Sequence, residues 1–336
     1  MIIIGIESSC DETSIALIEN SDRILANVVS SQVDVHKEYS GVVPEIASRL
    51  HTENINFIFK KALSDANIKA SDIDVISVVN HPGLIGSLMV GASFAKTLAL
   101  VLNKKIVTVN HLIAHLYANF LKDDKPSFPY IGLIVSGGHT LLLVVKDHFD
   151  YKIVGTTLDD AVGEAYDKVA KMLNLDYPGG PVIDKLVKDY NGEFVHFKPG
   201  LENDEKNKYN FSYSGLKTGV LNYINKNKDY ELKPLLKGFQ KSAIEILYKK
   251  TVNLALETGI NEICIAGGVA ANSYLRELFL NDIRFKIHIP PIKLCTDNGA
   301  MVAALAYYKV NADMFDSIDF EVYSKPKGGP RAYLKK

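Results

Sequence analysis

His111 and His115 stand four apart in His111-Leu112-Ile113-Ala114-His115, directly after a short strand-like run. On a helix that spacing puts both imidazoles on one face, within reach of one metal ion. Two nitrogens do not make a site, so a carboxylate from elsewhere has to join them. Asp297 is the best candidate, because it opens an apolar helical stretch after a strand-like segment. Two histidines and one carboxylate with open positions suit Fe(II), Zn(II) or a similar ion. Without the carboxylate, the pair reads as two histidines capping a helix. A zinc peptidase needs Glu directly after the first His as general base. Leu112 stands there, so peptide hydrolysis by this motif lacks its base.

Two glycine turns and one acidic turn complete the inventory. Ser136-Gly137-Gly138-His139-Thr140 lies between two strand-like runs, where backbone N–H groups free of Cβ obstruction can wrap phosphate or carboxylate oxygens. Alone, it is a tight β-turn. Gly267-Gly268-Val269-Ala270-Ala271-Asn272 stands at a strand-to-helix turn, where a helix N-terminus favours an anion. Glu7 to Thr13 is rich in hydroxyls and acids; Asp11 and Glu12 at its tip would meet an acceptor amine or a bound ion, or form a solvated turn. Three such turns at equivalent strand ends, with the histidine pair, describe a nucleotide-binding cleft. GxxxxGK[ST] and GxGxxG are both missing, which excludes a Walker loop and disfavours a dinucleotide fold.

The elements that position these residues follow from periodicity. Ile2 to Ile6 and Ser14 to Glu19 form a hairpin around the acidic turn, and Ile131 to Val135 with Leu141 to Val145 repeat it 129 residues later (Ile2 to Ile131). Helical spacing marks Asn54–Leu63, Gly86–Leu102, Ala161–Leu173, Lys237–Leu256, Ala270–Leu280 and Ala300–Tyr308. Strand-like stretches cover Asp74–Val79, Ile106–Val109 and Ile263–Ile265. Tyr177 to Pro181 reads as a sharp break, and 193–210 as a polar surface excursion. The expectation is an α/β protein of two tandem lobes around a cleft: 1–110 as N-terminal lobe, 111–309 as C-terminal lobe with the metal and nucleotide motifs, and 310–336 as a tail.

Composition sets bounds on the partners. The 336 residues, 47% apolar and 23% charged, can fill about two cores. A net charge of −1 leaves no global field toward nucleic acid or membrane. Three cysteines, Cys10, Cys264 and Cys295, without a CxxC pair suggest neither a disulfide framework nor a thiolate zinc site. Met1-Ile2-Ile3-Ile4-Gly5 lacks a basic leader, and no apolar run is read as approaching the roughly 18 residues of a span. A soluble, cytoplasmic protein with no membrane partner is expected.

Ile6-Glu7-Ser8-Ser9-Cys10-Asp11-Glu12-Thr13-Ser14 resembles the opening signature of the TsaD family, the tRNA threonylcarbamoyladenosine transferases once labelled O-sialoglycoprotein endopeptidases. The resemblance continues, in the family's order, through Val43–Arg49, Pro82–Leu84, the HxxAH at 111–115, VSGGHT at 135–140, GEAYDKVAK at 163–171, DYPGGP at 176–181, FSYSGLKT at 211–218, GGVAANSYLR at 267–276 and CTDNGAM at 295–301. It covers nearly the whole chain and is nearest the bacterial and organellar branch. His81, Ile113 and Leu141 depart from residues common in the family.

The resemblance implies a two-lobed fold of the actin, sugar-kinase and chaperone-ATPase superfamily with duplicated hairpin units. It implies one divalent metal, Fe(II) first and Zn(II) second, held by His111, His115 and Asp297. It implies that Ile134, Val135, Ser136, Gly137, Gly138, Asp167, Gly180, Asp184 and Asn272 bind threonylcarbamoyl-adenylate, whose threonylcarbamoyl group passes to the adenosine 3′ of the anticodon with release of AMP. Asp11 is the residue assigned to catalysis. The implied partners are tRNA, an inactive TsaB-like paralogue and a TsaE-like P-loop ATPase. The 33 lysines against five arginines suit phosphate contacts that position without reading bases. The rivals are a sugar or carboxylate kinase of the same superfamily, needing a base Asp and no metal histidines, and a non-catalytic nucleotide-binding scaffold.

Overall fold

A computed structural model describes residues 1–39 and 41–325. Residues 326–336, the last 11 of the 27 in the expected tail, lie outside the described residues. The chain forms two compact units, Met1–Lys125 with Thr296–Lys336, and Pro126–Cys295. This division differs from the expected boundaries at 110/111 and 309/310. The first unit keeps the HxxAH helix and takes back the helix after Asp297, because both pack on the first sheet.

The first unit begins with β1 (Ile2–Glu7), β2 (Glu12–Glu19) and β3 (Arg23–Ser31), then α1 (Val33–Lys37) and α2 (Pro44–Ala66). It continues through β4 (Val75–His81), α3 (Ile85–Leu102), β5 (Lys105–Asn110) and α4 (His111–Tyr117). Its sheet order is β3-β2-β1-β4-β5, with β1–β2 and β2–β3 antiparallel and the other two pairs parallel. Ile4, Ile6, Ile15, Leu17, Ile55 and Ile76 centre its core. Strand β3 escaped the sequence reading because its residues alternate only weakly and only two of the nine are buried.

α3 corrects the expectation about apolar runs. It is 18 residues long with mean hydropathy 1.7, enough by length and composition to cross a membrane, and a third of it is buried. Leu88, Ala92, Ala95 and Ala99 face the core, and Phe94 meets Phe59 of α2 edge-on at 5.4 Å. Lys96, the single charge in the helix, donates to the Phe320 carbonyl at 2.7 Å. Ile85, Met89, Leu100 and Val101 remain exposed.

The second unit repeats the plan. It has β6 (Tyr130–Val135), β7 (Thr140–Val145), β8 (Tyr151–Thr156), α5 (Val162–Met172), α6 (Gly179–Val187), α7 (Ser214–Lys226), α8 (Leu232–Thr258), β9 (Glu262–Ala266), α9 (Ser273–Leu280) and β10 (Lys286–His288). The order β10-β9-β6-β7-β8 mirrors the first sheet strand for strand, with the same two antiparallel and two parallel pairings. The hairpin repeat therefore extends to all five strands. The break expected at Tyr177–Pro181 does separate two helices, and its last residues, Gly179 to Pro181, open α6. Proline is tolerated in a first helical turn, where its missing N–H has no intrahelical partner. The 193–210 excursion is irregular, as read, yet it is pinned: the buried Lys250 ammonium donates to the carbonyls of Leu201, Asn207 and Asn210 at 2.9, 3.2 and 2.6 Å.

The chain then returns to the first unit as α10 (Gly299–Asn311), which packs across β1 and β2. Gly5 and Gly299 permit that crossing: a Cβ on Gly5 would stand 2.1 Å from the Gly299 carbonyl oxygen. Asn298 caps α10, its Oδ1 accepting from Met301 N–H at 3.1 Å, and Ser14 Oγ accepts from Gly299 N–H at 2.9 Å. These contacts fix the residue just before them, Asp297.

Candidate functional site

In the first unit the three expected metal ligands come together. One ligand atom each from His111, His115 and Asp297 lie within 4.8 Å of one another. Asn110, at the end of β5, caps α4 by accepting from Leu112 and Ile113 N–H at 2.8 and 3.1 Å, so the helix starts at His111 itself. The i,i+4 spacing then stacks the two rings edge to face, centroids 4.7 Å apart. His115 Nε2 is 3.1 Å from Asp297 Oδ1, and His111 Nε2 is 3.7 Å from the same oxygen.

The chemistry of this donor set fits a metal. His115 is fully buried, and neither ring nitrogen has a hydrogen-bond partner of proper direction among the described residues. Buried polar atoms are costly when left unpaired, and a metal ion is one of the few partners that removes that cost. His111 is oriented from behind: its Nδ1 meets Glu7 Oε2 at 2.9 Å and Ser9 Oγ at 3.1 Å, which leaves Nε2 toward Asp297. A carboxylate behind a ligating histidine sets its tautomer and raises its basicity. Burial opposes charge on His111, but the Asp297 and Glu7 carboxylates outweigh it and push the imidazolium up to about 9. Glu12 is likewise pushed well up, by burial first and then by Asp297 and Asp11. A cation here would relieve that crowding.

Glu7 and Ser9 were not singled out from sequence. An acid that ends an apolar run reads as the start of a solvated turn, whereas Glu7 is fully buried at the end of β1.

The expected nucleotide residues fall in the second unit, and it links them. Ser136 N–H donates to the His139 carbonyl at 2.9 Å, and His139 N–H returns to Ser136 Oγ at 3.1 Å, closing the β6–β7 turn with Gly137 and Gly138 exposed at its tip. Ile134 and Val135 are fully buried in β6. Gly163 N–H, at the start of α5, donates to the Ser136 carbonyl at 3.3 Å. Asp167 accepts from Gly179 N–H at 2.8 Å, placing Gly180 in the first turn of α6. Asp184 accepts from Ser273 N–H at 3.0 Å and from Ser273 Oγ at 2.7 Å.

Buried Gln240, missed in the sequence, joins the last two. Its Nε2 donates to Asp184 Oδ1 at 3.2 Å, and its Oε1 accepts from Asn272 Nδ2 at 3.0 Å. A lone polar residue amid the apolar rows of a long helix was the available signal. Around Gly137, Gly138, Gly180 and Gly268 an added Cβ would meet nothing within 4 Å. The protein's own packing does not fill the space beside these glycines, so their backbone is open to close approach.

A family model described as TsaD, tRNA N6-adenosine threonylcarbamoyltransferase, matches residues 23–304. A Brachyspira hyodysenteriae protein named tRNA N6-adenosine threonylcarbamoyltransferase is 49% identical over 331 residues, 97% of this chain and 96% of its own. A Sulfurihydrogenibium protein of the same name is 50% identical over 326 residues, again 97% and 96%. Among solved structures, the Acidaminococcus fermentans (R)-2-hydroxyglutaryl-CoA dehydratase component A aligns with a TM-score of 0.57 at 14% identity, over 93% of this chain and 99% of that one. That likeness concerns the fold alone, which is the expected actin-like one with a duplicated five-stranded sheet. With a family model across most of its length and half-identical relatives end to end, the chain belongs to the tRNA N6-adenosine threonylcarbamoyltransferase family.

Proposed function

We infer that this chain transfers the threonylcarbamoyl group from threonylcarbamoyl-adenylate to the exocyclic amine of the adenosine 3′ of the anticodon, releasing AMP, in tRNAs that read codons beginning with A. The observation that carries the reading is family membership over nearly the full length. The sugar-kinase alternative calls for no metal histidines, so the His111–His115–Asp297 group counts against it. The donor is a mixed anhydride whose carbamoyl carbon is already activated, so no nucleophilic Ser or Cys is required. The amine attacks that carbon and the bond to the AMP phosphate oxygen breaks, so holding the two reactants together is the main task.

Asp184 and Asn272 are assigned to the adenosine half, with Asp167 and Gly180 alongside, and the Ser136–Gly138 main chain to the phosphate and carbamoyl oxygens. Asp11 and Glu12 are assigned to the acceptor amine. His111, His115 and Asp297 would hold a divalent ion, Fe(II) or Zn(II), and when bound it supplies positive charge for the developing oxyanion. The test is mass spectrometry of nucleosides from tRNA incubated with the protein, its partners, ATP, threonine and bicarbonate. Threonylcarbamoyladenosine is the expected product, and its absence with all components active overturns the reading.

The proton on His111 gives the metal reading a signature. Protonation competes with a ligand for the ring, so metal affinity should rise with pH below about 9 and level off above it. Near neutral pH, binding should release about one proton per metal. Calorimetry in buffers of different ionisation enthalpy measures that proton, and an affinity flat from pH 6 to 9 would contradict the assignment. In the metal-free protein the sign is reversed. A raised folded-state value means that charged His111 stabilises the fold below the ordinary histidine range, and this contribution is lost as pH climbs through about 9.

Cytoplasmic partners complete the proposal: a paralogue without the metal residues and a small P-loop ATPase. The chain has no Walker loop and a net charge of −1, so a separate P-loop subunit and a partner surface that helps to hold tRNA fit the proposal. The exposed apolar side chains of α3 offer such a paralogue a surface. Alone and supplied with adenylate, the chain should be inactive or nearly single-turnover, and adding partners one at a time should restore cycling. Rapid multiple turnover by the isolated chain would remove the partner requirement.

A further inference from the structure

α2 carries a buried histidine that the site described above does not use. His51 is fully buried, and its two ring nitrogens reach the turn between β1 and β2 and the first residues of β2. Nε2 is 2.9 Å from the Cys10 carbonyl oxygen, and Nδ1 is 2.7 Å from Thr13 Oγ1. A carbonyl only accepts, so Nε2 carries the proton. In a neutral ring Nδ1 then accepts from the Thr13 hydroxyl. Burial pulls His51 below its ordinary range, which favours this neutral form.

The two bonds bracket Asp11 and Glu12 and adjoin Ser9. Ser9 is the residue whose hydroxyl meets His111 Nδ1 at 3.1 Å and whose N–H donates to Glu7 Oε1 at 2.6 Å. A main-chain bond from Gln32 N–H to the Asp11 carbonyl, 3.0 Å, holds the same turn from β3's side. α2 is a firm support, since it is 23 residues long, begins with Pro44 at its first position and packs on β2 and β3. The Val43–Arg49 motif, to which the site above assigns no role, is the opening of this helix, two residues ahead of His51.

We propose that His51 is a positioning residue for the reaction: it ties Cys10 and Thr13 to α2 and so holds Ser9 to Glu12 where they orient His111 and flank Asp297. The proposal rests on the reading of His111, His115 and Asp297 as metal ligands, and its test separates the two. His51→Leu removes both bonds, whereas His51→Gln keeps a donor near the Nε2 position.

Hydrogen exchange is measured first, on metal-free protein. The amides of Ser9 to Thr13 should exchange at least about tenfold faster in His51→Leu, with α2 and the second unit unchanged. Metal affinity, by chelator competition, should fall about 10- to 100-fold, the usual cost of losing outer support of a ligand. With partners present, kcat should fall while KM for the adenylate stays within about twofold, because the assigned adenylate residues are elsewhere in the chain. His51→Gln should recover most of each loss.

Unchanged exchange in His51→Leu overturns the clamp. Faster exchange with wild-type metal affinity and kcat reduces His51 to a core residue and overturns its role in positioning. If His51→Leu does not fold, Thr13→Val, which removes one bond and keeps the side-chain shape, should show the same pattern at smaller amplitude; wild-type behaviour there overturns the proposal too. A wild type that binds no metal overturns the metal reading, and exchange in the turn still decides the clamp by itself.

Discussion

The double variant His111→Ala/His115→Ala should purify folded and without metal. The two rings supply two of the three donor atoms gathered within 4.8 Å, and one carboxylate on its own does not hold a transition metal against water. The expected loss of affinity exceeds the roughly 100-fold that removal of an outer-shell partner costs. Glu7→Gln, which leaves all three donors and weakens only the support behind His111, should fall within that 10- to 100-fold range. Asp297→Asn is the size-matched check. It should lower metal affinity like the histidine variants, and it should bring His111 down from about 9, because one of the two carboxylates that raise it is gone. Metal analysis of purified protein and NMR titration of the His111 ring are the measurements. Stoichiometric metal in the double variant would sink the assignment.

Adjacent glycines in the turn after β9 should fail in opposite ways. Gly267 has φ +96°, and a Cβ on it would lie 2.3 Å from the Val135 carbonyl oxygen of the neighbouring strand. Gly267→Ala therefore combines a left-handed backbone with a main-chain clash and should cost at least about 3 kcal/mol of stability. Gly268 has nothing within 4 Å of an added Cβ. Gly268→Val should melt within about 1 kcal/mol of wild type, yet bind adenylate at least about tenfold more weakly, because the side chain would take the place of the ligand. Thermal denaturation and calorimetry on the two proteins separate the effects. Equal adenylate affinity of wild type and Gly268→Val would remove this turn from the nucleotide site.

The contrast between these glycines shows what a sequence exposes. Both hairpins were legible because β-branched runs broken by Gly, Ser and Asp have a local cause, and the repeat of that pattern foretold a duplicated sheet. The grouping of His111, His115 and Asp297 was legible because i,i+4 histidines announce a shared face. What stayed hidden depends on partners far along the chain. Glu7 is buried because it faces His111, 104 residues away. Asp297 joins the first unit because α10 crosses Gly5 at close range, a fit that neither segment displays alone. Lys250 reads as surface charge, and only the three carbonyls around it explain its burial. α6 was missed for a local reason, since Gly-Gly-Pro was read as a stop when its proline falls in a first turn.

The return of the chain through α10 also sets an order of events during synthesis. The second unit is one uninterrupted stretch, while the first is in two pieces with Pro126–Cys295 between them. On a ribosome the two histidines emerge long before Asp297, by on the order of ten seconds or more at ordinary elongation rates. The later-made unit can thus collapse on its own while the earlier one still lacks the helix that covers β1 and β2. A nascent chain offers a passing metal ion only a pair of imidazoles, and a full set of donors exists once translation has passed residue 297. A metal held by His111, His115 and Asp297 would in this way be acquired after most of the polypeptide has been made, and a chain truncated inside the second unit would carry the histidines without the third donor.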